Sequence, residues 1–239
     1  MNKRSRLTIS IIAAIILLAC ACPVSSLLAI ANEPTSSAPE VPTVAQLPNP
    51  TVIYSDDFSA KSKELETYSD KSGSVDTKNG VYNVRTITDL WNWGRSSSEF
   101  ADTVIEIDAT LVSGPDNNNV GFGVICRLHS REDNSFDGYL LAISGDGFYS
   151  IRSISSSSMS PLIDWTASDS INKGTGTNRL RATCNGSDLN LAVNGVVVAT
   201  TNTISGGSVS GGFALAAVSF ETDHPIAEVN FDNLVISKP

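Results

Sequence analysis

Two kinds of side chain in this sequence could do chemistry: carboxylates paired on one stretch, and planar rings spaced to share a face. Glu106-Ile107-Asp108 sets two acids two residues apart, and in an extended chain such residues project from the same side. Paired carboxyl groups flanking a bond are the equipment of glycosidic hydrolysis. The competing reading is a solvated strand face. Trp91 and Trp93 also stand two apart, and Trp165 falls in a long segment read as a loop. Exposed rings supply amphipathic area at little entropic cost, suited to stacking on sugar faces. Rings that simply cover the edge of a sandwich would look the same.

Other chemistries find less support. The two histidines, His129 and His224, are not accompanied by a Gly-x-Ser-x-Gly elbow, so a serine hydrolase is not indicated. Asp133-Asn134-Ser135-Phe136-Asp137-Gly138 offers oxygens at alternate positions of a turn, as calcium ligands would. Ser144 stands where a twelve-residue calcium loop needs a bidentate Glu, and a polar turn without metal serves equally. No cofactor is expected beyond a structural Ca2+ ion at such turns.

The elements that would position these residues are strands. Val120–Ser130, Gly138–Ser144, Asn178–Cys184 and Asp188–Asn194 alternate in period two, with Asn185-Gly186 and Asn194-Gly195 at the joins. Asn-Gly pairs supply the positive φ angles of hairpin turns. Further strands are predicted at Val52–Phe58, Gly80–Thr86, Ala101–Ser113, Phe148–Ile154, Val196–Thr201, Gly211–Glu221 and Ala227–Ile236. Loops are predicted near 61–78, 114–118 and 155–173. About eleven strands without a helical pattern or a fixed repeat indicate an antiparallel sandwich or barrel. In Ala101–Ser113, Ile105, Ile107, Ala109 and Leu111 take one face and Glu106 and Asp108 the other, so register is strongly set. Gly121 and Gly123 strip side chains from one face of their strand, where something approaches closely.

Cys126 and Cys184 lie on the apolar phase of their strands, Cys126 with Phe122, Val124 and Leu128. In an oxidising compartment this isolated pair is most economically a disulfide. On adjacent strands it would stabilise the fold by about 3–4 kcal/mol. Two buried free thiols are the alternative. Arg127 and Arg181 point opposite to the cysteines. They are expected on the shared outer face of neighbouring strands, lining a polar concave sheet with Glu106 and Asp108 or forming an ordinary ion-pair lattice.

Residues 1–31 read as a targeting segment: Lys3, Arg4 and Arg6 precede an uncharged apolar run. Leu17-Leu18-Ala19-Cys20 resembles a lipobox that would lipidate Cys20, Ala29-Ile30-Ala31 is an ordinary cleavage site, and an uncleaved anchor is the third option. The chain is therefore expected to be exported, as a cell-surface lipoprotein or a secreted protein, meeting a membrane only through that N-terminus. Residues 32–50, rich in Pro, Ser and Thr, read as an extended spacer. Residues 51–239 are long enough for one sandwich domain. Of 16 basic residues three lie in the leader, leaving 13 against 25 acids and a net charge of −12. That excludes a nucleic-acid partner, which needs a basic surface, and suits a carbohydrate or an extracellular protein as ligand.

The order Asp56-Asp57-Phe58, Glu106-Ile-Asp108, Gly-Val-Ile-Cys126-Arg127, Gly138-Tyr-Leu-Leu-Ala-Ile-Ser144, Val193-Asn194-Gly195 and Val229-Asn-Phe231-Asp232-Asn233 resembles the concanavalin A-like lectin/glucanase superfamily. Within it, the laminin-G-like and 3-keto-disaccharide hydrolase-like modules are the nearest variety. The resemblance implies a jelly-roll sandwich whose first and last strands, at Phe58 and Phe231, pair together. It implies a structural calcium near the termini, where Asp56, Asp57 and Asp232 occur. It also implies a Glu-x-Asp-x-x-Glu strand in the glucanases; here Leu111 replaces the last Glu, so the hydrolytic pair is incomplete. A non-catalytic recognition module is the resulting expectation, with a hydrolase of the same superfamily and a structural or adhesive envelope protein as alternatives.

Overall fold

A computed structural model describes residues 50–239. The targeting segment with Cys20, and the spacer up to residue 49, lie outside the described residues. Fifteen strands are found: β1 (Val52–Asp56), β2 (Tyr68–Ser69), β3 (Gly73–Lys78), β4 (Val81–Thr86), β5 (Asn92–Arg95), β6 (Thr103–Ser113), β7 (Val120–Ser130) and β8 (Phe136–Ser144). They continue with β9 (Phe148–Ser155), β10 (Ser158–Ala167), β11 (Asn178–Asn185), β12 (Asp188–Val193), β13 (Val196–Asn202), β14 (Gly212–Ser219) and β15 (Ala227–Ser237). All pairings are antiparallel. One sheet has the order β13-β12-β11-β6-β15-β4-β3-β2, with β1 also on β15; the other runs β10-β9-β8-β7-β14-β5. The first and last strands pair as expected, Asp56 opposite Leu234.

The eleven expected strands are all present, and four further strands join them, three of them in segments read as loops. β2 and β3 are short and polar, with Val75 fully buried. β5 is interrupted by Gly94, where a Cβ would collide with the Tyr82 hydroxyl. β10 occupies the expected 155–173 loop. Its turn is made by Ser156 and Ser157, both at positive φ (48° and 63°), where a sequence signal would be Asn-Gly. Asp137 and Arg131 hold that turn: the Ser156 amide donates to Asp137 Oδ1 (2.9 Å) and Arg131 Nη1 donates to Ser156 Oγ (3.1 Å). The Asn194-Gly195 turn has both φ angles positive, whereas at Asn185-Gly186 only Gly186 does.

Between the sheets lies a core containing Phe58, Tyr82, Phe122, Phe213 and Phe231, all essentially buried. Each such ring contributes about 1.5–3 kcal/mol by leaving water. Cys126 and Cys184 form a disulfide inside this core, with Cα atoms 6.7 Å apart. Their strands are not neighbours in one sheet. β7 and β11 belong to opposite sheets, so the bridge ties the two layers face to face.

Arg127 corrects a second expectation. The register slips between Cys126 and His129, and Arg127 sits there with φ +53°. Such a bulge adds a residue and changes the phase of the strand beyond it. Leu128 therefore leaves the phase of Cys126 and joins the outer-face cluster. The Arg127 side chain is buried and reaches the other sheet's margin, donating to Ala101 O (3.2 Å) and Asp102 Oδ1 (3.0 Å). Asp102 also accepts from the Gly186 amide (2.9 Å). A disulfide and an ion pair thus cross between the layers side by side. Reducing the disulfide should lower the unfolding free energy by about 3–4 kcal/mol. Guanidinium denaturation with and without reductant measures this, and an unmoved midpoint would show that the layers hold without the bridge.

Candidate ligand-binding groove

Strands β7, β8 and β14 are apolar on both sides. Phe122, Val124, Tyr139, Leu141, Phe213 and Leu215 enter the inter-sheet core. Ile125, Leu140, Ala142, Ala214 and Ala216 face outward, yet they too are buried. Trp91, Trp93, Phe136, Met159 and Trp165 cover them. β5 and β10 are opposite edge strands, about 24 Å apart were the sheet flat. Nevertheless Trp91 and Trp93 line one cavity together with Met159, Trp165 and Phe220, of about 440 Å3. The sheet therefore curls, and rings lean inward from both margins.

The Trp-Asn-Trp spacing is what aims the first wall. Asn92 points inward and is nearly buried: its Nδ2 donates to Arg85 O (2.9 Å), and its Oδ1 accepts from the Tyr68 hydroxyl (2.7 Å). Tyr68 Oη also lies 3.0 Å from Trp93 O. With Asn92 anchored to the opposite sheet, its two neighbours must face out. Burial, followed by the charges of Glu66 and Asp70, pushes the Tyr68 phenol from 10.0 up to about 12.

Phe220 joins the walls. Its ring meets Trp91 edge-on at 6.0 Å and Trp165 at 5.6 Å, and its amide donates to Asn119 O (3.0 Å). Such pairs are worth about 0.5–1.5 kcal/mol beyond burial. Gly121 lies beneath. A Cβ there would come within 2.9 Å of Phe220 and 3.0 Å of Trp91, which accounts for the missing side chain. At Gly123 the close neighbour is instead backbone, Leu141 O. Trp93 packs on Phe136 (5.7 Å), and the Arg95 guanidinium lies 5.4 Å from the Phe136 centroid. A second hollow of about 320 Å3 lies beyond Trp165 and Phe220, lined also by Asn119, Ser144, Asp146 and Phe148. Ser144 donates to Asp146 there.

The remaining sequence candidates lie elsewhere. Glu106 is directly opposite Arg181, and Asp108 opposite Arg179, on β6 and β11 of the nine-stranded sheet. Asp108 accepts from Arg179 Nη1 (3.3 Å) and Asn233 Nδ2 (2.9 Å). Glu106 and Arg181 border a hollow of about 580 Å3 with Thr183, Asn190, Thr200 and Val197. Arg127 does not share this face, because it belongs to the other sheet. The terminal and turn acids already have partners. Asp56 accepts from Tyr54, Phe58 and Ser62, Asp57 from Ser59, Asp133 from Ser135, Asp137 from Arg131 and Ser156, and Asp232 from the Asn233 amide. Among the described residues no group of three or more His, Cys, Asp or Glu side chains is arranged to hold a metal. Phe220, Met159, Phe136 and Arg152 line or flank the groove without any sequence signal, since only the curl of the sheet brings them together.

Gly121→Val should displace Phe220 and Trp91 and cost about 1–3 kcal/mol, read as a lower unfolding midpoint with altered indole fluorescence; an unaltered spectrum would place those rings elsewhere. Stability should also fall as pH rises from 10 to 12, because the unfolded chain releases the Tyr68 proton that the folded chain retains. Below that window the contribution is complete. Tyr68→Phe should flatten the alkaline decline, measured by denaturation at a series of pH values.

No protein-family model matches the chain, and no curated protein matches it. Solved structures do. The carbohydrate binding module CBM66 from Bacillus subtilis superposes with a TM-score of 0.51 at 16% identity, over 80% of this chain and 98% of its own. A Bacillus subtilis protein of unknown function with a galectin-like fold gives 0.58 at 8% identity, over 79% and 96%. The catalytic domain of an endo-1,3-beta-glucanase (laminarinase) from Thermotoga petrophila gives 0.55 at 8% identity, over 80% and 98%. At these identities the likeness shows the fold, and the chain is an antiparallel jelly-roll β-sandwich of the concanavalin A-like type.

Proposed function

We propose that this chain is an exported, non-catalytic glycan-recognition module that binds sugar in the aromatic groove on the outer face of its six-stranded sheet. The observation that carries the reading is the convergence of Trp91, Trp93 and Trp165, with Phe220 and Met159, on one cavity. Planar rings over a curled, small-residue floor suit the apolar faces of sugar rings. Among the described residues, none that lines that cavity is a carboxylate. Retaining or inverting hydrolysis needs two, flanking the scissile bond. Glu106 and Asp108 lie on the opposite sheet, so they cannot act on a ligand held by the tryptophans. The likeness to solved structures that include a carbohydrate binding module and a laminarinase supports a glycan ligand. A disulfide in the core fits an oxidising compartment, with Cys20 lipidation or cleavage after Ala31 as the route to the surface or the medium. A spacer or adhesive wall protein has no need of a cavity lined by three indoles.

Glycan-array binding and polysaccharide pull-down test the reading. Trp91→Ala, Trp93→Ala and Trp165→Ala should each weaken binding by about 2 kcal/mol, as for a central aromatic anchor. Glu106→Gln and Asp108→Asn should leave binding unchanged, and no reducing ends should accumulate. Binding that survives all three tryptophan changes would remove the groove as the site.

A further inference from the structure

Arg152 lines the groove, and among the described residues it is the only ionisable one to do so. It lies on β9 opposite Pro161 of β10, with its side chain only 19% exposed. A guanidinium on a side chain this little exposed gains from close pairing and hydrogen bonding, while its free donors still reach water. Here the pairing is poor. Nη1 lies 3.6 Å from Asp164 Oδ1, beyond hydrogen-bond reach, and Asp164 is itself 78% exposed. The same Nη1 lies 3.4 Å from Ser150 Oγ, whose hydroxyl donates to Ile163 O (2.8 Å). Among the described residues Nε and Nη2 have no partner. Those two donors form the edge of the guanidinium that grips a carboxylate with parallel hydrogen bonds.

A platform for uncharged sugars needs no cation, and Met or Leu could line the same wall beside Ile154 at lower cost. We infer that Arg152 selects sugars carrying a carboxylate, uronic or sialic in type, by pairing Nε and Nη2 with both carboxylate oxygens while the ring stacks on the indoles. The inference rests on the groove being the glycan site. It makes the cavity locally positive in a chain that is acidic overall, so discrimination is short-range. Asp164 holds the guanidinium weakly when no ligand is bound and yields to a better-placed anion.

Calorimetric titration separates the possibilities. The probes are tetragalacturonate and sialyllactose, each against its uncharged counterpart, methyl-esterified tetragalacturonate and lactose. At least one acidic probe should bind about tenfold or more tighter than its counterpart, as expected for a bidentate charged pair. Arg152→Met should abolish that preference while leaving the weak uncharged binding, and Arg152→Lys should keep only part of it. Asp164→Asn, which leaves the groove lining intact, should tighten the acidic probe further. An unchanged thermal midpoint shows that each variant is folded. Uncharged probes binding as well as acidic ones, or a preference that survives Arg152→Met, would overturn the assignment of Arg152 alone. No binding by any probe, together with an empty glycan array, would remove the groove reading and this inference with it.

Discussion

A sheet that is greasy on both faces must be covered twice, and the rest of this molecule is shaped by that requirement. Sandwich sheets usually bury one face and wet the other. Through the central parts of β7, β8 and β14, at 120–126, 138–143 and 213–218, both phases are apolar or glycine and both are buried. The inner phase is met by the nine-stranded sheet. Among the described residues no third layer meets the outer phase, which is covered instead by side chains: rings leaning in from β5 and β10, and Phe220 folding over from beyond β14. The tryptophans both cover the outer face and line a cavity, so the sandwich-edge reading and an open aromatic surface describe one arrangement. The sheet curls until its margins help roof its own floor, and the space that the rings leave open is the cavity.

The two outer faces consequently differ in chemistry. The nine-stranded sheet alternates along β6 and β11, where its outward residues include acids, bases and amides linked across strands, as at Asp108 and Arg179. Such exposed pairs contribute little stability each, and they leave that face hydrophilic. Between these unlike faces the layers are held in register by burial, by the disulfide and by Arg127 reaching Asp102. The Asn92 anchor belongs with these ties, since it joins β5 of one sheet to Arg85 of the other.

Period-two alternation makes eleven strands and the interior phase of both cysteines legible in the sequence. It fails where the chain departs from that code locally. β10 carries Pro161, Asp164 and a turn of two serines, each an ordinary loop signal, and it becomes a strand because β9 offers an open edge. Arg127 escapes the pattern because one residue at positive φ changes the phase after Cys126, and an arginine gives no warning of that. Trp91 and Trp93 are legible as a pair, being neighbours on one strand. Trp165, Phe220, Met159 and Arg152 join them only through the curvature of the sheet, a property of all six strands together that no local window contains.

Asn92 turns away from the cavity, and its hydrogen bonds are made to the layer that carries no part of the floor. The wall that bears Trp91 and Trp93 is thus bonded to both slabs of the sandwich, through β14 to the one that carries its base and through Asn92 to the other. Slippage between the slabs would strain that wall, so the rigidity of the whole stack, more than that of a surface loop, fixes the shape of the slot.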